Sequence, residues 1–180
     1  MASSPRLGAG PRRQWAALVA GMVAFGAVEV VTVHLVAGAL LPDVAALVVD
    51  VVLGVATLVL VVALASPLWA SYRLGADALV LRFGWVGGVV VPRADVVRAT
   101  EYRGTAARPV ELGAGHDVAD ETADEPAAGV VSFVRSTRSP VVRLDLGAPV
   151  TARVAGTRRV TATTVLVGVD DPDPLLALAP

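Results

Sequence analysis

The sequence predicts a membrane α-helical hairpin joined to an all-β domain. The β domain is expected to be a partly open antiparallel barrel of about seven strands, capped by a short C-terminal helix. Three observations predict this. First, the 180 residues are 55% hydrophobic and only 17% charged, with mean hydropathy +0.68, where an ordinary soluble domain carries about a quarter charged residues. Second, the apolar residues concentrate in residues 15–69, broken once at Pro42-Asp43. Third, the period beyond residue 70 shortens to two, and glycine, proline and serine punctuate it, as in a small all-β domain.

Residues 1–14 carry Arg6, Arg12 and Arg13 and no acid, which reads as a short disordered basic tail. Two spans follow, residues 15–41 and 44–69. A bilayer core about 30 Å thick needs roughly 20 helical residues, and both segments exceed that. The alternative, a soluble hairpin buried on all sides, lacks enough remaining chain to cover it. All 15 basic residues are arginine. They lie in the tail and beyond the second span (Arg73, Arg82, Arg93, Arg98), and the Pro42-Asp43 turn has none. The positive-inside rule then places both termini in the cytoplasm. The expected localisation is the cell membrane, multi-pass, with Trp15, Trp69 and Tyr72 at the inner interface.

Residues 70–180 form the expected cytosolic domain. Tyr72-Arg-Leu, Leu79-Val-Leu-Arg-Phe, Val89-Val-Val-Pro and residues 96–102, 130–134, 141–146, 150–154 and 160–169 read as short strands. Pro92 ends its strand or sets it at an edge. Asp170-Asp-Pro-Asp-Pro-Leu-Leu reads as a helix start with proline in its first turn. Residues 104–128 hold Glu111, Asp117, Asp120, Glu121, Asp124 and Glu125 among glycine, alanine and proline, which predicts a flexible acidic loop.

Two spans followed by such a domain resemble the bacterial pleckstrin-homology-like (PH-like) membrane proteins. The residues that carry the resemblance are Tyr72-Arg-Leu-Gly-Ala-Asp-Ala-Leu-Val-Leu-Arg-Phe-Gly, Val90-Val-Pro-Arg-Ala-Asp-Val-Val and the ending Val167-Gly-Val-Asp-Asp-Pro-Asp-Pro-Leu-Leu. The resemblance implies a partly open barrel capped by a helix, and it implies no catalytic residues and no cofactor. The acidic loop departs from a compact version of the pattern. The turn Gly75-Ala76-Asp77 has no cluster of bases, so phosphoinositide binding through that turn is not carried over.

Little in the sequence points to catalysis. The absence of cysteine excludes disulfides, zinc-cysteine sites and iron–sulfur clusters. Only two histidines exist, His34 in a span and His116 in the acidic loop, and no Gly-x-Ser-x-Gly elbow is present. Gly84-Trp-Val-Gly-Gly lacks the lysine of a phosphate loop and reads as a turn. His116 with Asp117, Asp120 and Glu121 lacks the ordered spacing of a calcium loop and reads as solvated acid. Arg153, Arg158 and Arg159 flank a hairpin tip and read first as a solvated turn, with contact to anionic lipid headgroups as the alternative. A net charge of −1 favours no nucleic acid.

The sharper signal lies in the spans. Glu29 and His34 occur in the first, Asp50 and Thr57 in the second, and an intramembrane carboxylate costs several kcal/mol unless paired or neutral. Asp50, Gly54 and Thr57 share one helical face, where Gly54 is expected to allow close helix approach. A turn at Pro42-Asp43 sets His34 level with Asp50 and Glu29 level with Thr57. His34–Asp50 is the expected pair, and Glu29 is expected to bond Thr57 or a backbone carbonyl, or to face another protomer. Arg12, Arg13 and Arg73, held at the interface by the spans, are the candidate lipid-headgroup contacts. The function these residues point to is non-enzymatic: an integral membrane protein whose cytosolic domain serves protein interaction or assembly at the bilayer. The partners expected are the lipid bilayer and a protein partner or a second copy. The alternative is a small oligomeric transporter or channel subunit using Glu29, His34 and Asp50.

Overall fold

The computed structural model describes residues 6–104, 110–117 and 129–178. It divides into two compact units, the segment Trp15–Ala65 and the remainder.

The first unit is a helical hairpin. Helix α1 covers Arg13–Leu40 and α2 covers Asp43–Ala65. At 1.5 Å per residue they are about 42 and 34 Å long. Pro42 separates them, Leu41 N–H still donates to Ala37 O (2.8 Å), and Pro42 O accepts from Ala46 N–H (3.0 Å). At the open end the Trp15 indole N–H donates to Leu64 O across 2.7 Å. Only Trp15, Gly26 and Ala37 of α1 are buried, and no residue of α2 is. Both helices are long and apolar enough to cross a membrane. The second candidate span runs Asp43–Trp69, matching the 44–69 expected from the sequence, but its α-helical part stops at Ala65. Pro67 cannot continue an α-helix, and Ser66–Trp69 forms a 3-10 turn that belongs to the other unit.

Among the described residues the second unit is a nine-stranded mixed sheet. Its strands are β1 (Arg6–Leu7), β2 (Ser71–Leu74), β3 (Ala78–Phe83), β4 (Gly87–Pro92), β5 (Val96–Tyr102), β6 (Gly113–Asp117), β7 (Gly129–Val134), β8 (Val141–Val154) and β9 (Arg158–Gly168), followed by the one-turn helix α3 (Asp173–Leu176). The order is β1-β2-β3-β4-β8-β9-β7-β6, with β5 also paired to β8. Among the described residues the path has two free ends, at β1 and β6, so the sheet is open.

Alternation sets the core face. Leu79, Leu81 and Phe83 of β3, Val89 and Val91 of β4, and Val131 and Phe133 of β7 point inward and are buried. The Phe83 and Phe133 rings meet with centroids 6.1 Å apart, tilted by 47°. Leu175 of α3 is fully buried, so the short helix plugs the core as expected. Its first turn holds Pro174, and Asp173 N–H is capped by Asp171 Oδ1 (3.1 Å).

Four expectations are corrected. The sheet is not all antiparallel, because β7 runs parallel to β9; the chain leaves β7, forms β8, and returns in β9 between the two. Residues 141–146 and 150–154 are one strand, because β9 accompanies β8 on both sides of a register shift between Asp145 and Val150. Gly147-Ala148-Pro149 therefore bends the strand without ending it. The tail is not wholly disordered: Arg6–Leu7 pairs with Tyr72–Arg73, and Gly8 O accepts Asp170 N–H at 2.9 Å. The acidic loop contains a strand, since Gly113–Asp117 pairs with β7; residues 105–109 and 118–128 of that loop lie outside the described residues. The poor strand former Gly-Ala-Gly-His-Asp is held there by its neighbour.

The 3-10 turn is tied to the sheet at Gly84. This residue has φ +62°, and a Cβ there would lie 2.3 Å from the Ser66 carbonyl. Only glycine meets both demands. The adjacent Trp85 N–H donates to Ser66 Oγ (3.0 Å).

Candidate functional site

Within the hairpin, His34 Nδ1 lies 2.7 Å from Asp50 Oδ2. With the carboxylate ionised, Nδ1 carries the hydrogen and donates it. This is the contact expected from the register at Pro42-Asp43. The second carboxylate oxygen, Asp50 Oδ1, is buried without a hydrogen-bond partner among the described residues.

Thr57 and Glu29 do not meet in the expected way. Among the described residues Glu29 makes no hydrogen bond or ion pair, and it is exposed on α1. Thr57 instead packs against Gly26, where an added Cβ would lie 2.8 Å from the Thr57 methyl. The glycine that permits close approach is therefore Gly26 and not Gly54, where an added Cβ would meet no neighbouring atom within 4 Å. Gly26 was legible only as a small residue in the first span; its role depends on the rotation of α1 about its axis.

In the sheet unit the structure brings Arg12 and Arg73 to one cavity of about 580 Å³, lined also by Trp69, Tyr72, Arg135 and Asp170. Arg13 is the first residue of α1 and is not among the lining residues. Tyr72, expected at a membrane interface, is instead fully buried in the sheet. Its hydroxyl donates to Phe133 O (3.2 Å). Burial raises its pKa well above the ordinary phenol value, against the pull of the nearby Arg135 charge.

Arg135 is the residue that sequence reasoning missed. It directly follows the apolar run of β7 and is only 4% exposed. Its Nη1 donates to Pro67 O (3.5 Å) and Leu68 O (3.4 Å), and its Nη2 donates to Gly10 O. One guanidinium thus joins the N-terminal segment, the 3-10 turn and the end of β7. Burial pushes its pKa down, Tyr72 pushes it up, Arg12 adds to the depression and Asp170 opposes it. An arginine stays charged regardless. A lone arginine ending an apolar strand was the available signal.

Of the remaining candidates, Arg153 sits in the β8–β9 hairpin opposite Arg159, with Gly88 of β4 on its other side. That tip folds back onto the β3–β4 turn, with Gly156 N–H donating to Val86 O (2.8 Å). His116 and Asp117 lie in β6, and Asp120 and Glu121 lie outside the described residues. No group of three or more metal-ligating side chains occurs among the described residues.

Comparison with family models, curated proteins and solved structures found no match to this chain.

Proposed function

We propose that the chain is an integral membrane protein of the PH-like kind, in which a two-span hairpin anchors a cytosolic β domain that serves as a protein-interaction or assembly module at the bilayer. The observation that carries the reading is the hairpin surface. Phe25, Leu35, Leu47 and Leu58 are each more than 60% exposed, and they lie on both helices among many other exposed apolar side chains. Leaving apolar area in water costs about 25 cal/mol per Å², and a lipid environment removes that cost. The likeness to PH-like proteins is supported by the order of elements: two spans, a curled meander from β2 to β4, and a closing helix that buries Leu175. The parallel β7–β9 pair and the edge strands β1 and β6 set this chain apart from an all-antiparallel barrel.

The arginine distribution supports cytoplasmic termini. Reporter fusions at residue 180 and between residues 42 and 43 test this. A C-terminal reporter active only outside the cytoplasm refutes it. Crosslinking in native membranes with mass-spectrometric identification tests the interaction role, and recovery of neither a partner nor a second copy refutes it.

One observation favours a second reading. Glu29 is exposed and unpartnered among the described residues, one and a half turns from a His34–Asp50 pair, as a contact between protomers of a small transporter or channel subunit would require. Proton or ion flux in reconstituted vesicles that Glu29→Gln abolishes supports this alternative, and absence of flux refutes it.

A further inference from the structure

We propose that the cavity beside β1 and β2 binds a phosphate group through Arg12, Arg73 and Arg135. Arg135 is the buried member of the set. A guanidinium presents five N–H donors. Three contacts go to backbone carbonyls, while the Nε hydrogen is buried and has no acceptor among the described residues. Carbonyl oxygens accept hydrogen bonds but do not neutralise the charge. No carboxylate lies within ion-pair distance of Arg12, Arg73 or Arg135 among the described residues. The cavity wall thus holds three guanidinium groups against one carboxylate, Asp170. A buried cation with no counter-charge is unfavourable, and Arg12 adds like charge.

An anion rich in acceptor oxygens relieves both problems. Phosphate fits the chemistry best, because its tetrahedral oxygens accept from several planar forks at once. The volume of about 580 Å³ leaves room for part of an ester beyond the phosphate itself. Two of the lining residues adjoin the hairpin helices in sequence. Arg12 immediately precedes α1, and Trp69 is four residues past the last residue of α2. Trp69 is 70% exposed, as suits a ring at the headgroup level. A phospholipid headgroup is therefore one source of the phosphate, and a soluble phosphate is the other. Only the lipid source rests on the membrane reading; the soluble-phosphate arm tests the cavity by itself.

The test uses the full chain in micelles of a phosphate-free sugar detergent. The thermal midpoint of the sheet unit is followed while phosphatidylglycerol, diacylglycerol or inorganic phosphate is added at constant ionic strength. Phosphatidylglycerol, inorganic phosphate or both are expected to raise the midpoint, and diacylglycerol is not. A response to lipid alone identifies the headgroup as ligand, and a response to both identifies phosphate itself. Arg135→Gln also frees three carbonyls and is expected to loosen the fold, so the exposed Arg12 and Arg73 carry the comparison. The double variant Arg12→Gln/Arg73→Gln, which relieves like-charge repulsion on Arg135, is expected to keep or raise the ligand-free midpoint and to bind about thirtyfold more weakly. Arg13→Gln, which removes one positive charge outside the cavity, is expected to bind like the parent. No stabilisation by either phosphate source overturns the proposal. So does an undiminished response in the double variant, or an equal loss in Arg13→Gln.

Discussion

Replacing Tyr72 by phenylalanine removes one hydroxyl from the centre of the sheet, and its effect changes with pH. Near neutrality the variant loses the hydrogen bond to Phe133 O, which costs about 1 kcal/mol. Above pH 10 a second effect opposes the first. The unfolded chain exposes the phenol, which ionises near its ordinary pKa of about 10. The folded chain holds it neutral, because full burial raises its pKa. Below pH 10 both states are protonated and the group adds no pH dependence. Above it the unfolded state binds fewer protons than the native state, so stability falls as pH rises. At pH 11 the parent is lower by about 1.4 kcal/mol than at pH 9 from this group alone. Phenylalanine cannot ionise and escapes that loss. The parent is therefore the more stable protein at pH 8, the two stability curves cross at about pH 10.6, and by pH 11 the variant is the more stable. Urea unfolding of both proteins in detergent, followed by far-ultraviolet circular dichroism between pH 8 and 11, measures the difference. Two parallel curves across that range would refute the reasoning, since they would show that Tyr72 is not sequestered in the folded state.

In the hairpin, Gly26→Ala is expected to destabilise helix packing by roughly 1–3 kcal/mol, because the new methyl meets the stiff Thr57 side chain at 2.8 Å. Adding Thr57→Ser, which deletes that methyl, is expected to restore most of the loss in a helix-association assay. A double-mutant cycle on His34→Ala and Asp50→Ala should give a coupling of roughly 0.5–1.7 kcal/mol in lipid; zero coupling would show that the 2.7 Å contact contributes nothing. Leu175→Ala should cost about 2–5 kcal/mol in the sheet unit, and a cost below that of the half-buried Leu176→Ala would contradict the plugging role of α3.

Wherever a feature depends on local order along the chain, the sequence alone determined it. The two long helices follow from apolar runs longer than any globular core needs. Their boundary at Pro42 follows from a ring that cannot continue a helix. Strands β2 to β5 follow from alternation closed by glycine and proline, and α3 follows from its proline-bearing first turn. The His34–Asp50 pair was also legible, because a hairpin of known turn position fixes which residues share a depth, and only the rise per residue is needed to find them.

The tertiary structure decided whatever depends on pairing between distant segments. That β7 lies parallel to β9 is invisible in either strand's own pattern, since alternation reports a buried face and not a neighbour's direction. Arg6–Leu7 and Gly113–Asp117 are strands only because an edge was open beside each. Gly26 rather than Gly54 makes the close helix contact because rotation about the helix axis, unlike depth, is not set by counting from the turn. The arginine-lined cavity is the clearest case: Arg12, Arg73 and Arg135 are scattered over more than a hundred positions of sequence, and only the closure of the N-terminal segment onto β2 and the end of β7 assembles them. Local physics reads helices, strands and turns from a few neighbouring residues. A site whose parts are this far apart exists only after the chain has folded around it.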